Sequence, residues 1–203
     1  MKRTIFNSMK VAFFSGALLM AVTSCDKKAE TVNEDLTVQE AHQSETVDAK
    51  PAGPTDAQIA SIAVNANSID IDYAKIAKSK STNPEVLKFA DTMAKDHQNV
   101  IDMAVELAKK LSLTPDDNND TTRSLLDGAA TEKDKLNALS GAEFDKEYVN
   151  NEVAYHDAVI QAVENTLIPN AQNQELKELL QSAVPLFKEH LEHAKHLQME
   201  LNK

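Results

Sequence analysis

Five side chains able to ligate a metal or move a proton fall on helical faces that are otherwise apolar: Asp70, His97, Glu152, His156 and His190. His97 sits among Met93, Ala94, Val100 and Ile101, and His156 among Val149, Val153, Ile160 and Val163. Glu152 lies one turn before His156 on the same side, and Asp70 lies beside Ile69 and Tyr73. Imidazole and carboxylate together suit Zn, Fe or Cu, so Asp70, His97, Glu152 and His156 are candidate metal ligands, with Fe or Zn expected. The same pattern also suits a core layer in which each polar group satisfies another. This second reading is preferred, because a ferritin-like di-iron site needs Glu-x-x-His on each of two helices, and no Glu-x-x-His occurs. Glu152/His156, Glu189/His193 and Glu192/His196 are spaced i, i+4 instead, and the last two pairs point outward as surface partners. No serine or cysteine nucleophile constellation and no glycine-rich phosphate loop is present, so no catalytic residue is assigned and an enzymatic role is disfavoured.

These residues need helices to hold them. From Thr55 onward apolar residues recur three and four apart. The first helix carries Ile59, Ile62, Ala66, Ile69, Tyr73 and Ile76. The second opens on Pro84, the favoured position for proline, and carries Leu87, Ala90, Ala94, His97, Ile101, Ala104 and Leu111. Thr114-Pro115 and the polar run to Asp120 end it, and a shorter helix spans about residues 121–139. A third long helix starts at Ser140-Gly141 and is broken at Pro169-Asn170. The fourth carries Leu176, Leu180, Ala183, Phe187, His190, Ala194, Leu197 and Leu201. Four glycines, no tryptophan and no alternating β-branched runs leave little room for a sheet. Two short turns flanking one long connection predict an all-α, ferritin-like four-helix bundle, with a long 2–3 crossover that carries the extra helix.

Heights follow from the turns. Asp70 and His97 lie roughly 18 and 22 Å from the first hairpin, and His156 roughly 21 Å from the second. All three fall at mid-bundle. His190, roughly 30 Å from Asn170, is expected at another level, an inward polar residue outside the layer. Pro185 is expected to kink the fourth helix opposite the polar layer.

The front of the chain reads as an export signal. Lys2, Arg3 and Lys10 precede an apolar run from Val11 to Val22, which is shorter than the roughly 20 residues of a spanning helix. Val22-Thr23-Ser24-Cys25 resembles the bacterial lipobox, and Cys25 is the one cysteine in the chain. The expected organisation is a signal peptide at 1–24, a lipidated Cys25 with a flexible tether at 25–54, and the bundle at 55–203. The tether's polar composition cannot bury enough apolar surface to offset its ordering entropy. Net charge is −11, and removing the three bases of the signal leaves −14. That surface repels phosphate backbones, so no nucleic-acid partner is expected. The expected partners are a bacterial membrane, reached through the lipid, and an unidentified protein, with inner and outer membrane both open.

Met93-Ala94-Lys95-Asp96-His97, Phe144-Asp145-Lys146-Glu147-Tyr148 with His156, and Pro185-Leu186 with His190-Leu191 together resemble the DUF4142 family. Asp70-Ile71-Asp72-Tyr73-Ala74-Lys75-Ile76-Ala77 is similar to that family's first-helix motif, with aspartates in place of glutamates. The resemblance spans about residues 55–200 and implies a ferritin-like bundle in a bacterial envelope protein. It implies no activity. The leading expectation is therefore a lipid-anchored, non-catalytic envelope module that binds a partner or supports envelope integrity. The alternative is a metal-binding, redox-active ferritin-like protein using the inward Asp/His layer.

Overall fold

The computed structural model describes residues 53–203; the expected export signal, the expected lipidation at Cys25 and the expected tether to residue 52 lie outside the described residues. Six helices follow in order: α1 (Asp56–Lys80), α2 (Pro84–Lys110), α3 (Asp120–Ala138), α4 (Gly141–Ala162), α5 (Ile168–Asn170) and α6 (Gln174–Leu201). Among the described residues there is no strand. The chain is all-α, as its periodicity predicts.

Local chemistry sets the helix ends. Thr55 and Gln58 form a reciprocal capping box at the start of α1, satisfying two otherwise orphaned N–H groups. Asn83, Asn119 and Asn173 cap α2, α3 and α6 through side-chain oxygens, and Pro84 occupies the first turn of α2. At the end of α2, Ser112 turns left-handed at φ +52°. Leu113 N–H then donates to Ala108 O and Ser112 N–H to Lys109 O, closing the last carbonyls in a Schellman arrangement.

Contacts at the two ends of the bundle give its topology. Asp56, at the start of α1, accepts the N–H groups of Gln172 and Asn173 at 2.8 and 2.9 Å. Asp116 N–H donates to Ala57 O at 3.0 Å, and Ser61 Oγ to Asp117 at 2.5 Å. The second hairpin and the start of the crossover therefore share the end where α1 begins. At the opposite end Lys80 Nζ donates to Asn137 O at 2.6 Å. Helices α1 and α6 run one way and α2 and α4 the other, while α3 carries the chain back along the outside against α1 and α4. This is the short–long–short connectivity expected from the turn lengths.

The third long helix ends at Pro169-Asn170, as expected, through a local change of helix type. Residues Val163–Leu167 widen into a π turn in which Ile168 N–H donates to Val163 O, and α5 continues through Pro169 to Asn170. Proline has no N–H to donate, and its ring crowds the carbonyl four residues back. A π turn directly ahead of it changes where those carbonyls lie. The turn into α6 begins at Ala171, directly after that break.

The core lies in three groups. One includes Tyr73, Phe89, Met93, Phe144, Tyr148 and Ala194, and a second, toward the start of α1, includes Ile59, Leu167, Leu176 and Leu180. The third, between them, is Val100, Ile160, Ala183, Phe187 and Leu191. Fully burying each large apolar side chain contributes roughly 1.5–3 kcal/mol, and this tolerates a polar layer among them.

Candidate metal centre

The polar layer takes one segment from each long helix. Asn67 and Asp70 are three residues apart on the inner face of α1, His97 comes from α2, Glu152 and His156 are one turn apart on α4, and His190 comes from α6. Asp70, His97, Glu152, His156 and His190 are each 3% exposed or less. All five candidate residues converge.

The hydrogen bonds decide which imidazole nitrogen faces inward. Nδ1 of His97 lies 2.7 Å from Asn67 Oδ1, and the Asn67 amide nitrogen donates to Ala63 O at 2.7 Å. The Asn67 oxygen is therefore an acceptor, and His97 carries its proton on Nδ1. Nδ1 of His156 lies 3.0 Å from the backbone oxygen of Glu152, so it too is the protonated nitrogen. His190 engages Asp96 through Nε2 at 3.1 Å. Each ring thus donates to an oxygen and keeps one lone pair free. The free nitrogens, Nε2 of His97, Nε2 of His156 and Nδ1 of His190, have no hydrogen-bond partner in the protein.

Carboxylates complete the set. Oδ2 of Asp70 is 3.4 Å from His97 Nε2 and 3.8 Å from His156 Nε2. Asp70 Oδ1 and both carboxyl oxygens of Glu152 are buried without a hydrogen bond, although Glu152 Oε2 stands 3.4 Å from His156 Nδ1. One nitrogen from each of His97, His156 and His190 lies within 4.8 Å of the other two, and Asp70, Glu152 and His156 form a second such group. His156 belongs to both. The ring centroids stand 5.2–5.5 Å apart, and Phe187 stacks on His97 at 5.5 Å and 10°.

Burial dominates the electrostatics. Loss of water, reinforced by nearby His190, pushes His97 down to about 3. The same desolvation lowers His156 and His190, against the opposing pull of Asp70 and Asp96 respectively. Burial raises Asp70 above the usual carboxylate range despite His156, and raises Glu152 well above it, with Asp70 adding to the effect. The layer at neutral pH is therefore three neutral imidazoles beside carboxyls that resist ionising.

His190 corrects the sequence-based heights. Counted from Asn170 it lies roughly 9 Å above His156, but α6 begins only at Gln174. From there His190 is 16 residues along, roughly 24 Å, close to the roughly 21 Å of His156. Pro185 lies inside α6, which runs through it continuously; the proline is exposed, and Phe187 and His190 present the inner face. His193 is exposed and meets the Phe89 ring edge-on at 5.0 Å. Glu192 pairs with Lys195 at 2.8 Å, a different partner from His196.

Two residues escaped the sequence reading, Asn67 and Asp96. Asn67 carried a signal, since it stands three residues before Asp70 on the same helical side. Asp96 is half-buried beside His97 in sequence, yet it serves His190 from another helix.

A donor set of three neutral imidazoles with inward lone pairs, two buried carboxyls and a ring of orienting acceptors fits a transition-metal ion. It does not resemble the all-oxygen cage of Ca²⁺ or Mg²⁺.

The family comparison adds identity to this geometry. The family described as Domain of unknown function (DUF4142) matches residues 39–197. The chain belongs to the DUF4142 family. The match begins inside the segment assigned above to the tether. No curated protein matches this DUF4142 chain by sequence. Among solved structures, a DUF305 protein from Streptomyces coelicolor, titled a candidate secreted protein, superposes with TM-score 0.58 at 14% identity, over 72% of this chain and 92% of its own. CopM in its Cu(II)-bound form superposes with TM-score 0.55 at 16% identity, over 73% and 98%. At such identities these likenesses establish the shared helical fold.

Proposed function

We propose that this DUF4142 chain is a metal-binding module of the bacterial cell envelope, exported by its N-terminal signal and tethered by lipid on Cys25. It takes one divalent transition-metal ion in its core, held by His97, His156 and His190, with Asp70 as the nearest carboxylate and Glu152 beside it. The observation that carries this reading is the set of three free imidazole nitrogens, each on a ring whose other nitrogen is bonded to an oxygen. Asp70 Oδ2, at 3.4 Å from His97 Nε2 and 3.8 Å from His156 Nε2, stands too far for a good hydrogen bond to either lone pair, and His190 Nδ1 has no hydrogen-bond partner at all. Asn67, the Glu152 backbone oxygen and Asp96 do what partners of metal-bound histidines do: they set the tautomer and hold the ring.

Imidazole-rich sites favour Zn²⁺, Cu²⁺ and Fe²⁺ over Mg²⁺ and Ca²⁺. CopM, which shares the fold, is known in a Cu(II)-bound form, so Cu²⁺ belongs in the test set with Zn²⁺ and Fe²⁺. The bound ion would supply Lewis acidity in a dry site, and with Cu or Fe a one-electron couple. The protein's own part is to present neutral nitrogens, keep water out and give up the Asp70 and Glu152 protons to bulk solvent as the cation enters.

The test is elemental analysis of the full chain carrying Cys25→Ala, loaded with each ion and passed through a desalting column. One equivalent per chain is expected, falling below a tenth in the His97→Leu, His156→Leu and His190→Leu variants. Retention of the same metal content by all three variants overturns the assignment.

A further inference from the structure

Beside the metal layer the bundle is hollow. A cavity of about 440 Å³ lies between the four long helices and α3. Asn67, Val100 and Phe187 line it near the metal layer, and Leu111, Leu167 and Leu176 line it toward the other end. Along α1 its wall runs from Ala60 to Tyr73, roughly 20 Å of helix. Spread over that length, the volume corresponds to a mean cross-section of roughly 20 Å², comparable with one extended alkyl chain.

Small residues make this bore. Ala63, Ala66, Ala104, Ala158 and Ala183 line it with Gly128 of α3; Gly128 and Ala158 are exposed, so the bore opens to solvent between α3 and α4, and an added Cβ at Gly128 would meet nothing within 4 Å. Larger aliphatics at the same positions would close it. An apolar wall offers water no partners, while unfilled volume in a core destabilises in proportion to its size. The dimensions fall within the roughly 300–1,000 Å³ of ordinary ligand sites.

The end near the metal layer is different. Glu132 Oε1 and Asn151 Nδ2 are buried without partners, and both line the cavity. Tyr73 and Tyr155 meet edge to face at 5.7 Å there, and the Tyr155 hydroxyl is already committed to Ala66 O at 3.0 Å. One free acceptor and one free donor thus stand at the end of an apolar bore.

We propose that this cavity binds one single-chain lipid with an uncharged, hydroxyl-bearing head, its alkyl chain along the alanine-lined bore and its hydroxyl between Glu132 and Asn151. A hydroxyl suits both atoms, donating to the Glu132 oxygen and accepting from the Asn151 amide. A fatty-acid carboxylate fits badly, because it brings an anion to Glu132 within a chain of net charge −11. The site is independent of the metal reading, although its wall shares Asn67 and Phe187 with the His97 environment.

The test uses the full chain carrying Cys25→Ala, so that its own acyl group is not the occupant, stripped of lipid and titrated with 1-monopalmitoylglycerol or palmitate. Native mass spectrometry and calorimetry should find one monoacylglycerol per chain, with palmitate about tenfold weaker or worse. Ala104→Leu, at a buried position on the wall, narrows the bore and should weaken binding by about tenfold or more while metal content stays at the parent value. If that variant does not fold, Ala183→Leu, also buried on the wall, provides the same readout. Combining Glu132→Gln with Asn151→Leu should erase the preference for the glycerol ester. No binding, equal binding by parent and filled variants, or preference for palmitate overturns the proposal. Metal content reports separately on the metal centre.

Discussion

Asn67 Oδ1 lies 2.7 Å from His97 Nδ1, between two residues 30 positions apart in the chain. That bond places the His97 proton on the outward nitrogen and leaves Nε2 pointing at Asp70, 3.4 Å away. An uncharged residue absent from the list of sequence-derived ligands thus sets the tautomer of a central one.

Asn67→Leu should therefore weaken metal binding by about 10–100-fold, the usual effect of losing such a partner, although Asn67 would touch no metal. Asn67→Asp retains an acceptor and should restore most of the affinity. Competition with a chromophoric chelator measures both. Equal affinity for Asn67→Leu and the parent would count against this tautomer control.

Thermal melts separate a metal centre from a self-satisfied polar layer. If the metal reading holds, excess ion should raise the parent's stability by about 2.7 kcal/mol at a hundred times Kd. Chelator should reverse the gain, and His97→Leu, His156→Leu and His190→Leu should each abolish it. The competing layer makes the opposite forecast. Its parent melt ignores chelator, His97→Leu alone costs roughly 1–3 kcal/mol by orphaning a neighbour, and replacing Asp70, His97 and His156 together by apolar residues recovers much of that loss.

The pH dependence of the metal-free protein has two limbs. Burial holds His97 at about 3 and lowers His156 and His190 below the ordinary 6.5. The folded state then binds fewer protons than the unfolded chain below 6.5, so stability is full above that value and is lost as pH falls through it. Asp70 and Glu152 act in the opposite direction. Their folded pKa values lie above the ordinary 3.8 and 4.5, so their contribution is present at low pH and is lost as pH rises past those values. Metal removes the second limb, because a cation takes the place of the carboxyl protons. In denaturant melts at about pH 5, 6.5 and 8, stability should rise less with pH for the apo protein than for the loaded one, because only the apo carboxyls oppose the histidine limb. Apo stability that rises as steeply as that of the loaded protein would falsify the assignment of raised carboxyl pKa values to this layer.

Cys25→Ala should leave the protein without acyl label and shift it from the membrane to the soluble fraction. The motive is the run Val22-Thr23-Ser24-Cys25, which lies outside the described residues. Radiolabelled palmitate and fractionation read the outcome, and unchanged labelling in the variant would sink the lipid anchor.

The helices were legible because each end is written locally. Thr55 and Gln58 cap one another three residues apart, Asn83 precedes Pro84, and apolar spacing marks the buried side of every long helix. Two features were not legible from periodicity. The π turn at Val163–Leu167 keeps nearly the same apolar spacing as an α-helix. The other is the level of His190, which depends on where α6 starts.

The sequence by itself determined an all-α chain with four long helices, the inward faces of those helices, and the presence of Asp70, His97, Glu152, His156 and His190 on or beside them. These depend on 1.5 Å per residue and 3.6 residues per turn, quantities any segment carries alone. Tertiary structure decided that His190 joins His97 and His156, because the true start of α6 at Gln174 sets the register between neighbouring helices. It also decided the tautomers, since Asn67 and Asp96 reach His97 and His190 across helix interfaces from 30 and 94 residues away. Local periodicity fixes a side chain's angle on its own helix; only the packing of one helix against another fixes which lone pairs meet.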